Sequence, residues 1–387
     1  MVELVLVSLF TIFLTWSSII NMKRIREFEE IRDRDLNLER NYFVSIIVPM
    51  RNEERNAKRC IGSLINQDYP NYEIIAVDDM STDGTLHILE EFSSKHPNLS
   101  VVIGSPTPQG WVGKNHALWQ GVQRARGDWL LFVDADTYSE SYVLRAALSY
   151  AEEHKADMLS IFPFQELGSF WESVIQPIIF ASIAIAFPHQ RINSLRYKDA
   201  AANGQFILIR RDAYRAVGGH ESIKDKIVED FALAKLIKSN GYRLRVARGG
   251  NLIKTRMYTN LKEIWEGWTK NIFLGMDKDW RRLILGIIML SLRGFLPFFL
   301  IIQSLLDISS ATCGPIQIVI LLEGLWLVFL NIYLFWEGTK IYSILPYYAL
   351  LFPVSVAAFI GIMVSSTYKV VSGEGVVWKG RRYDGAK

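Results

Sequence analysis

Cysteine is nearly missing from this sequence: Cys60 and Cys313 are the only two in 387 residues. That excludes a disulfide framework and any zinc-binding spacing, and both thiols read as inert. A strong charge of either sign is missing as well. Forty-three Lys and Arg stand against 40 Asp and Glu, a net charge of +3, which supplies no field for a nucleic-acid partner. There is no internal repeat and no low-complexity segment, and no Ser or Cys stands out as a nucleophile. Ahead of the first apolar run the only charge is Glu3, and no small-x-small cleavage site follows it. A cleaved signal peptide is thereby set aside in favour of an uncleaved anchor.

What the chain does have is long apolar runs at both ends. Val5–Ile20 is continuously apolar or small, and Leu283 to Tyr368 is mostly apolar, with a mixed and charged region between. The expected layout is an anchor at 1–22, a charged and helical stalk at 23–43, a soluble domain at 44–281, membrane or interfacial helices at 282–368 and a basic tail at 369–387. Lys23, Arg24 and Arg26 follow the first run, so the positive-inside tendency places the main domain in the cytoplasm of a multi-pass protein of the cell membrane.

Inside the soluble region, buried-strand patterns at 44–49, 72–77, 99–103, 129–133, 158–162 and 206–210 alternate with helical ones. This predicts an α/β fold with a doubly wound, mostly parallel sheet, whose ligands bind outside the carboxyl ends of the strands. Polar clusters fall there in three successive units: Arg51 with Glu53, Asp78 with Asp79, and Asp134 with Asp136. Asp134 and Asp136 lie two apart, so an extended chain would aim both to one side, where a hard divalent cation would compensate them. The alternative is that both acids cap a helix starting near Ser141. Lys114 follows a glycine at a helix start, either charging a diphosphate site or merely solvated. Asp230, beside Glu229, is either a base in the pocket or a first-turn acid. Ser81–Gly84 reads as a helix cap, and His116, His189 and His220 as packed or capping. The apolar stretch 171–188, with Pro177 inside, reads as a helix at the membrane interface.

Taken together these residues resemble family 2 glycosyltransferases, inverting enzymes of the GT-A fold. The likeness runs from Val44 to Gly275 and rests on Val48-Pro49 with Asn52-Glu53, Val77-Asp78-Asp79, Asp134-Ala135-Asp136 and Glu229-Asp230. Gly110-Trp111-Val112-Gly113-Lys114, Gly218-Gly219-His220-Glu221, Arg256-Met257-Tyr258 and Glu266–Asn271 make it most similar to bacterial membrane enzymes that glycosylate carotenoid acids. The C-terminal Trp378–Tyr383 is similar to a wider group of ceramide and hopanoid transferases. The resemblance implies that Pro49, Arg51, Glu53, Asp78, Asp79, Lys114 and Asp134 surround a nucleotide sugar, and the chemistry requires no nucleophile of the protein. Glu53 and Asp79 would hold uracil and ribose, Asp136 with Asp134 would hold Mg²⁺ or Mn²⁺ on the diphosphate, and Asp230 would be the general base. Gly204, Glu229, Trp268 and Lys270 would line the acceptor and diphosphate side. Trp268 and Lys270 sit where processive members carry Gln-x-x-Arg-Trp, which this chain lacks, weakening a polysaccharide-synthase reading.

Three C-terminal spans are expected, at 283–306, 316–336 and 344–368, the first interrupted by Arg293-Gly294 and Pro297. Three crossings would leave the basic tail outside, against its Lys379, Arg381 and Arg382, so one segment is expected to be re-entrant or interfacial. Arg293 and Glu323 are ionisable groups in apolar runs and are expected to pair. Such a chain suits a lipid-like acceptor and too few spans surround any polar path for a transporter. Transfer of sugar to a polyprenyl phosphate, or a silent membrane-anchored scaffold of the same fold, are the rival readings.

Overall fold

A computed structural model describes residues 2–31, 38, 40–309, 314–378 and 381–383. The chain forms two compact units. Phe28–Glu166, Phe187–Met257 and Val377–Lys387 make a sheet unit, while Met1–Glu27, Leu167–Ala186 and Tyr258–Val376 make a helical one. The soluble segment expected at 44–281 is therefore not one body: it gives up 167–186 and 258–281 to the helical unit.

Twelve strands are assigned among the described residues: β1 Val44–Met50, β2 Tyr72–Asp78, β3 Leu99–Ile103, β4 Trp129–Val133, β5 Thr137–Ser139, β6 Met158–Phe162, β7 Phe164–Gln165, β8 Phe206–Arg210, β9 Leu244–Arg248, β10 Ile253–Thr255, β11 Val376–Trp378 and β12 Arg381–Tyr383. Seven of them build the main sheet in the order β3-β2-β1-β4-β8-β6-β9. β1 runs parallel to β2 and β4, β2 to β3, and β6 to β9, whereas β8 is antiparallel to both neighbours. A mostly parallel α/β sheet is thus what the alternation of strands and helices produces.

Period-2 alternation then sorts the strand side chains onto two cores. Ile46, Val48, Ile74, Ala76, Leu131 and Val133 pack on one face with Leu64, Leu89, Leu144 and Leu148. Ile47, Ile75, Val77, Leu130 and Phe132 pack on the other with Leu118, Tyr214 and Leu233. Between the helix Gly113–Arg124 and β4 the chain passes Gly127, where a Cβ would lie 2.4 Å from the Ser45 amide nitrogen. Only glycine lets β4 enter beside β1 there.

Three expectations change. Among the described residues the helical stalk does not continue: the first helix ends at Arg26, Glu30 bridges Arg248, and Ile31 is buried in the core. Residues 32–37 and 39 lie outside the described residues, as do Cys313 and Lys379. Asp134–Asp136 is not extended either. β4 stops at Val133, and the Thr137 amide and hydroxyl both donate to the Asp134 carbonyl, at 3.3 and 2.8 Å, closing a turn. Beyond it β5 joins a second, three-stranded sheet, β5-β10-β7. Neither aspartate caps the following helix, which begins at Val143 behind Tyr142.

Among the described residues four helices are long and apolar enough to cross a membrane: Val2–Arg26, Phe170–Ile192, Pro315–Ile341 and Pro346–Val371. Trp280–Gly294 and Leu296–Ser309 would make a fifth as one span, bent by 42° at Phe295. Arg293 and Glu323 do not pair. The Arg293 guanidinium donates to Asn331 Oδ1 and to the Ser18 hydroxyl, both at 2.9 Å, while Glu323 accepts from the Ser8 hydroxyl at 2.6 Å. Neutral partners were nearer to each, and a hydroxyl or amide satisfies a buried charge without a counter-ion.

Candidate active site

The carboxyl ends of β1, β2 and β4 carry the polar clusters, as a doubly wound sheet requires. After β1 the backbone turns through Asn52 at φ 52°, and after β2 through Met80 at φ 57°. The two turns are laced together. Asn52 Oδ1 accepts from the Thr82 amide at 2.8 Å, the Asn52 amide donates to the Ser81 hydroxyl at 3.1 Å, and the Glu53 amide donates to the Thr85 hydroxyl at 2.8 Å. Ser81–Gly84 is therefore more than a cap. Asp83 does accept from the Thr85 amide at 3.0 Å, but it also takes the Glu54 amide of the opposite loop at 3.1 Å.

Arg51 clamps this pair of loops, donating to the Asp79 and Met80 carbonyls at 2.6 and 3.0 Å. The Asp79 amide donates to the Met50 carbonyl at 2.7 Å, fixing the Asp79 carboxyl at the end of β2 where it is 4% exposed. Asp78 is buried beside it and caps the Ser81 amide at 3.2 Å. Glu53 accepts from Asn56 Nδ2 at 2.8 Å. Pro49 is the penultimate residue of β1 and stands in register with Val77.

A second cluster forms around Gly204. Lys114 Nζ lies 2.7 Å from Asp134 Oδ1 and 2.6 Å from Glu229 Oε1. The Asp230 carboxylate accepts from the Gly204 and Phe231 amides at 3.0 and 2.8 Å. A Cβ on Gly204 would meet Lys114 Nζ, Glu229 Oε1 and Asp230 Oδ2, all between 3.3 and 3.5 Å. Thus β4, the loop before β8, and the starts of the helices Gly113–Arg124 and Glu229–Ser239 converge on one spot. The solvated reading of Lys114 does not hold, because both its contacts are ionic.

Electrostatics separates the acids. Burial, and then the charge of Glu229, push Asp230 up to about 7, against the pull of Lys114 and the two amides. Burial alone would lower Lys114, but Asp134 and Glu229 outweigh it and hold the ammonium well above the ordinary lysine value. Cys60, whose thiol burial pushes up, is inert behind the Asp134 carbonyl.

Asp136 occupies the β4–β5 turn, its carbonyl accepting from the Thr255 hydroxyl at 3.2 Å. Trp268 and Lys270 stand in the helix Leu261–Gly275 of the helical unit, where Trp268 is buried edge-on to Phe180 and Tyr258. Two contributors were not assigned to the site from the sequence. Asn115 is fully buried and its Nδ2 donates to the carbonyls of Ile223, Lys224 and Lys226 at 2.7, 3.3 and 2.9 Å. Its only signal was adjacency to Lys114. Arg381 donates to Asp79 from 302 positions away, signalled only by the Trp378–Tyr383 motif that carries it.

A family model described as Glycosyl transferase family 2 matches residues 45–218. The 4,4'-diaponeurosporenoate glycosyltransferase of Staphylococcus aureus (strain N315) is 26% identical over 273 residues, covering 68% of this chain and 70% of that protein. Its counterpart from strain USA300 is 28% identical over 240 residues, covering 60% of this chain and 61% of the relative. Among solved structures, a mannosyltransferase from Pyrobaculum calidifontis, in complex with GDP-Man and Mn²⁺, aligns with 95% of this chain and 98% of its own at 16% identity, TM-score 0.52.

Proposed function

We propose that this chain, whose residues 45–218 match a family model described as Glycosyl transferase family 2, moves a hexose from a nucleotide sugar, UDP-hexose by preference, onto a hydroxyl or carboxyl of a membrane lipid such as a carotenoid acid, with inversion. The observation that carries this is the Gly204 cluster: a base-like Asp230 and a Lys114 cation within reach of the same glycine, on the rim that also holds Asp79.

Asp230 takes the acceptor proton as the acceptor oxygen bonds to the anomeric carbon. The bond from that carbon to the diphosphate oxygen breaks on the opposite face, and the nucleoside diphosphate leaves with the electron pair. Lys114 sits where it can offset charge on the diphosphate. Arg51, Glu53, Asp78 and Asp79 face the nucleoside from the two laced loops, with Pro49 ending the strand beneath. A divalent cation, Mg²⁺ or Mn²⁺, would be held by Asp136 with Asp134, and when bound it neutralises charge developing on the leaving group. Among the described residues no three His, Cys, Asp or Glu side chains gather into a metal cage. That donor set suits a cation that takes one or two carboxylates and completes its shell with phosphate oxygens and water. Glu229 keeps Lys114 in place beside the acceptor.

The lipid acceptor is supported by the curated relatives' names and by the chain's own apolar helices, whose Leu6, Leu9, Ile12, Phe13 and Trp16 are exposed. Expression in a carotenoid-producing host, followed by mass spectrometry of extracted lipids, should give one lipid heavier by a hexose. Asp136→Ala should abolish it, and no increment with the intact protein would overturn the acceptor. Asp230→Asn should remove nearly all activity. A variant that keeps most of it points to a polyprenyl phosphate acceptor, which needs no base.

A further inference from the structure

The C-terminal strand β12 returns a cation to the end of β2. Arg381 Nη2 donates to Asp79 Oδ1 at 2.9 Å, and Nη1 donates to Asp79 Oδ2. The pair is nearly dry: the side chains are 18% and 5% exposed. The guanidinium lies over Gly113, the first residue of the helix Gly113–Arg124, where any Cβ would run into it. A cation at a helix N-terminus is repelled by the helix dipole, so the Asp79 carboxylate is what holds it there. Asp79 in turn is a buried carboxylate whose cost is offset by this fork of two hydrogen bonds.

We propose that Arg381 is a positioning residue for the nucleotide sugar: by gripping both Asp79 oxygens it fixes that carboxylate, and with it the nucleoside, between the β2 loop and the helix at Gly113. This rests on the donor-site reading above, in which Asp79 meets the nucleoside. Each carboxylate oxygen has a second lone pair, so Asp79 can accept from a ribose hydroxyl while Arg381 holds it. The C-terminal tail thereby becomes part of the donor site, although it is some 300 positions from the loops that build the rest.

The test is titration of UDP, with Mn²⁺ present, into full-length detergent-solubilised protein, alongside donor kinetics. Arg381→Ala should weaken UDP binding at least tenfold and raise the donor KM by a similar factor, with kcat within threefold. Arg381→Lys keeps the charge but not the fork, and should recover only part of the loss. Adding Arg381→Ala to Asp79→Asn should cost nothing further, because the two act as one unit. Tighter UDP binding by Arg381→Ala would overturn the proposal, since the tail would then exclude the donor. Loss of binding in Asp79→Asn but not in Arg381→Ala would overturn it while leaving the donor site intact. Equal binding by all variants would overturn both.

Discussion

Asp230 is pushed up to about 7 by burial and then by Glu229, and pulled down by Lys114 and two amide donors. A base works only when unprotonated, so activity should climb as pH rises through 7. Removing the cation shifts that limb further: Lys114→Met should move its midpoint to higher pH, besides lowering the rate, which a pH–rate profile reads directly. The linked effect on stability has the opposite sense. The folded chain binds this proton more tightly than the unfolded one, so Asp230 costs stability as pH rises from about 4 through 7. Asp230→Asn should therefore melt higher than the parent at pH 8, by on the order of 1 kcal/mol, while losing ~10²–10⁴-fold in kcat. The individual acids were legible from the strand ends that carry them. Their partnership was not, because Lys114 and Glu229 are brought to Asp134 by helices whose packing no spacing encodes.

Among elements, the Gly218–Ser222 turn shows why some motifs are structural. Gly218 and Gly219 have φ of 77° and 51°, and a Cβ at Gly219 would strike the Tyr214 ring. The turn buries His220, whose Nδ1 lies 2.8 Å from the Tyr214 hydroxyl, with its ring edge-on to Phe132 at 4.9 Å. It also aims residues 223–226 at Asn115, and so anchors the helix that carries Lys114. Burial pushes His220 down to about 4. The unfolded chain takes up that proton near 6.5, so stability is full above 6.5 and falls by ~1.4 kcal/mol per pH unit below it until pH 4. His220→Phe should flatten this acid limb, which urea midpoints at pH 7 and pH 5 would show. Six of the seven main-sheet strands were legible from their apolar runs, whereas β9, Leu-Arg-Val-Ala-Arg, was not, because its arginines interrupt the run. The reversed direction of β8 and the three-stranded β5-β10-β7 sheet were not. Two- and three-residue strands carry no period, and nothing local distinguishes a reversed strand from its neighbours.

For the molecule as a whole, hydrogen bonding across the sheet limits how the chain can meet a membrane. The segment Phe170–Ile192 is long and apolar enough to cross, yet β6 precedes it, β8 follows it, and the two are paired. Paired strands cannot lie on opposite sides of a bilayer, so this helix is expected to dip into one face, as its interfacial composition suggests. The same reasoning applies to the C-terminal helices. The chain leaves the sheet unit at Met257 and is back in it when Arg381 meets Asp79, so any crossings of a bilayer in between are expected to be even in number. Of the three candidate segments there, the bent pair, Pro315–Ile341 and Pro346–Val371, no more than two can cross fully. Such an arrangement would reconcile three apolar segments with the basic tail expected on the side of Lys23, Arg24 and Arg26. Cysteines introduced one at a time at Lys198, Glu374 and Glu3, in a chain whose Cys313 is replaced by serine and whose Cys60 is buried, would read the topology through a membrane-impermeant maleimide on intact cells. Cys at 198 and 374 should be protected until the membrane is opened, and Cys at 3 labelled at once. Labelling of 374 from outside while 198 stays protected would break the parity, and no arrangement of the helices could then bring Arg381 to Asp79.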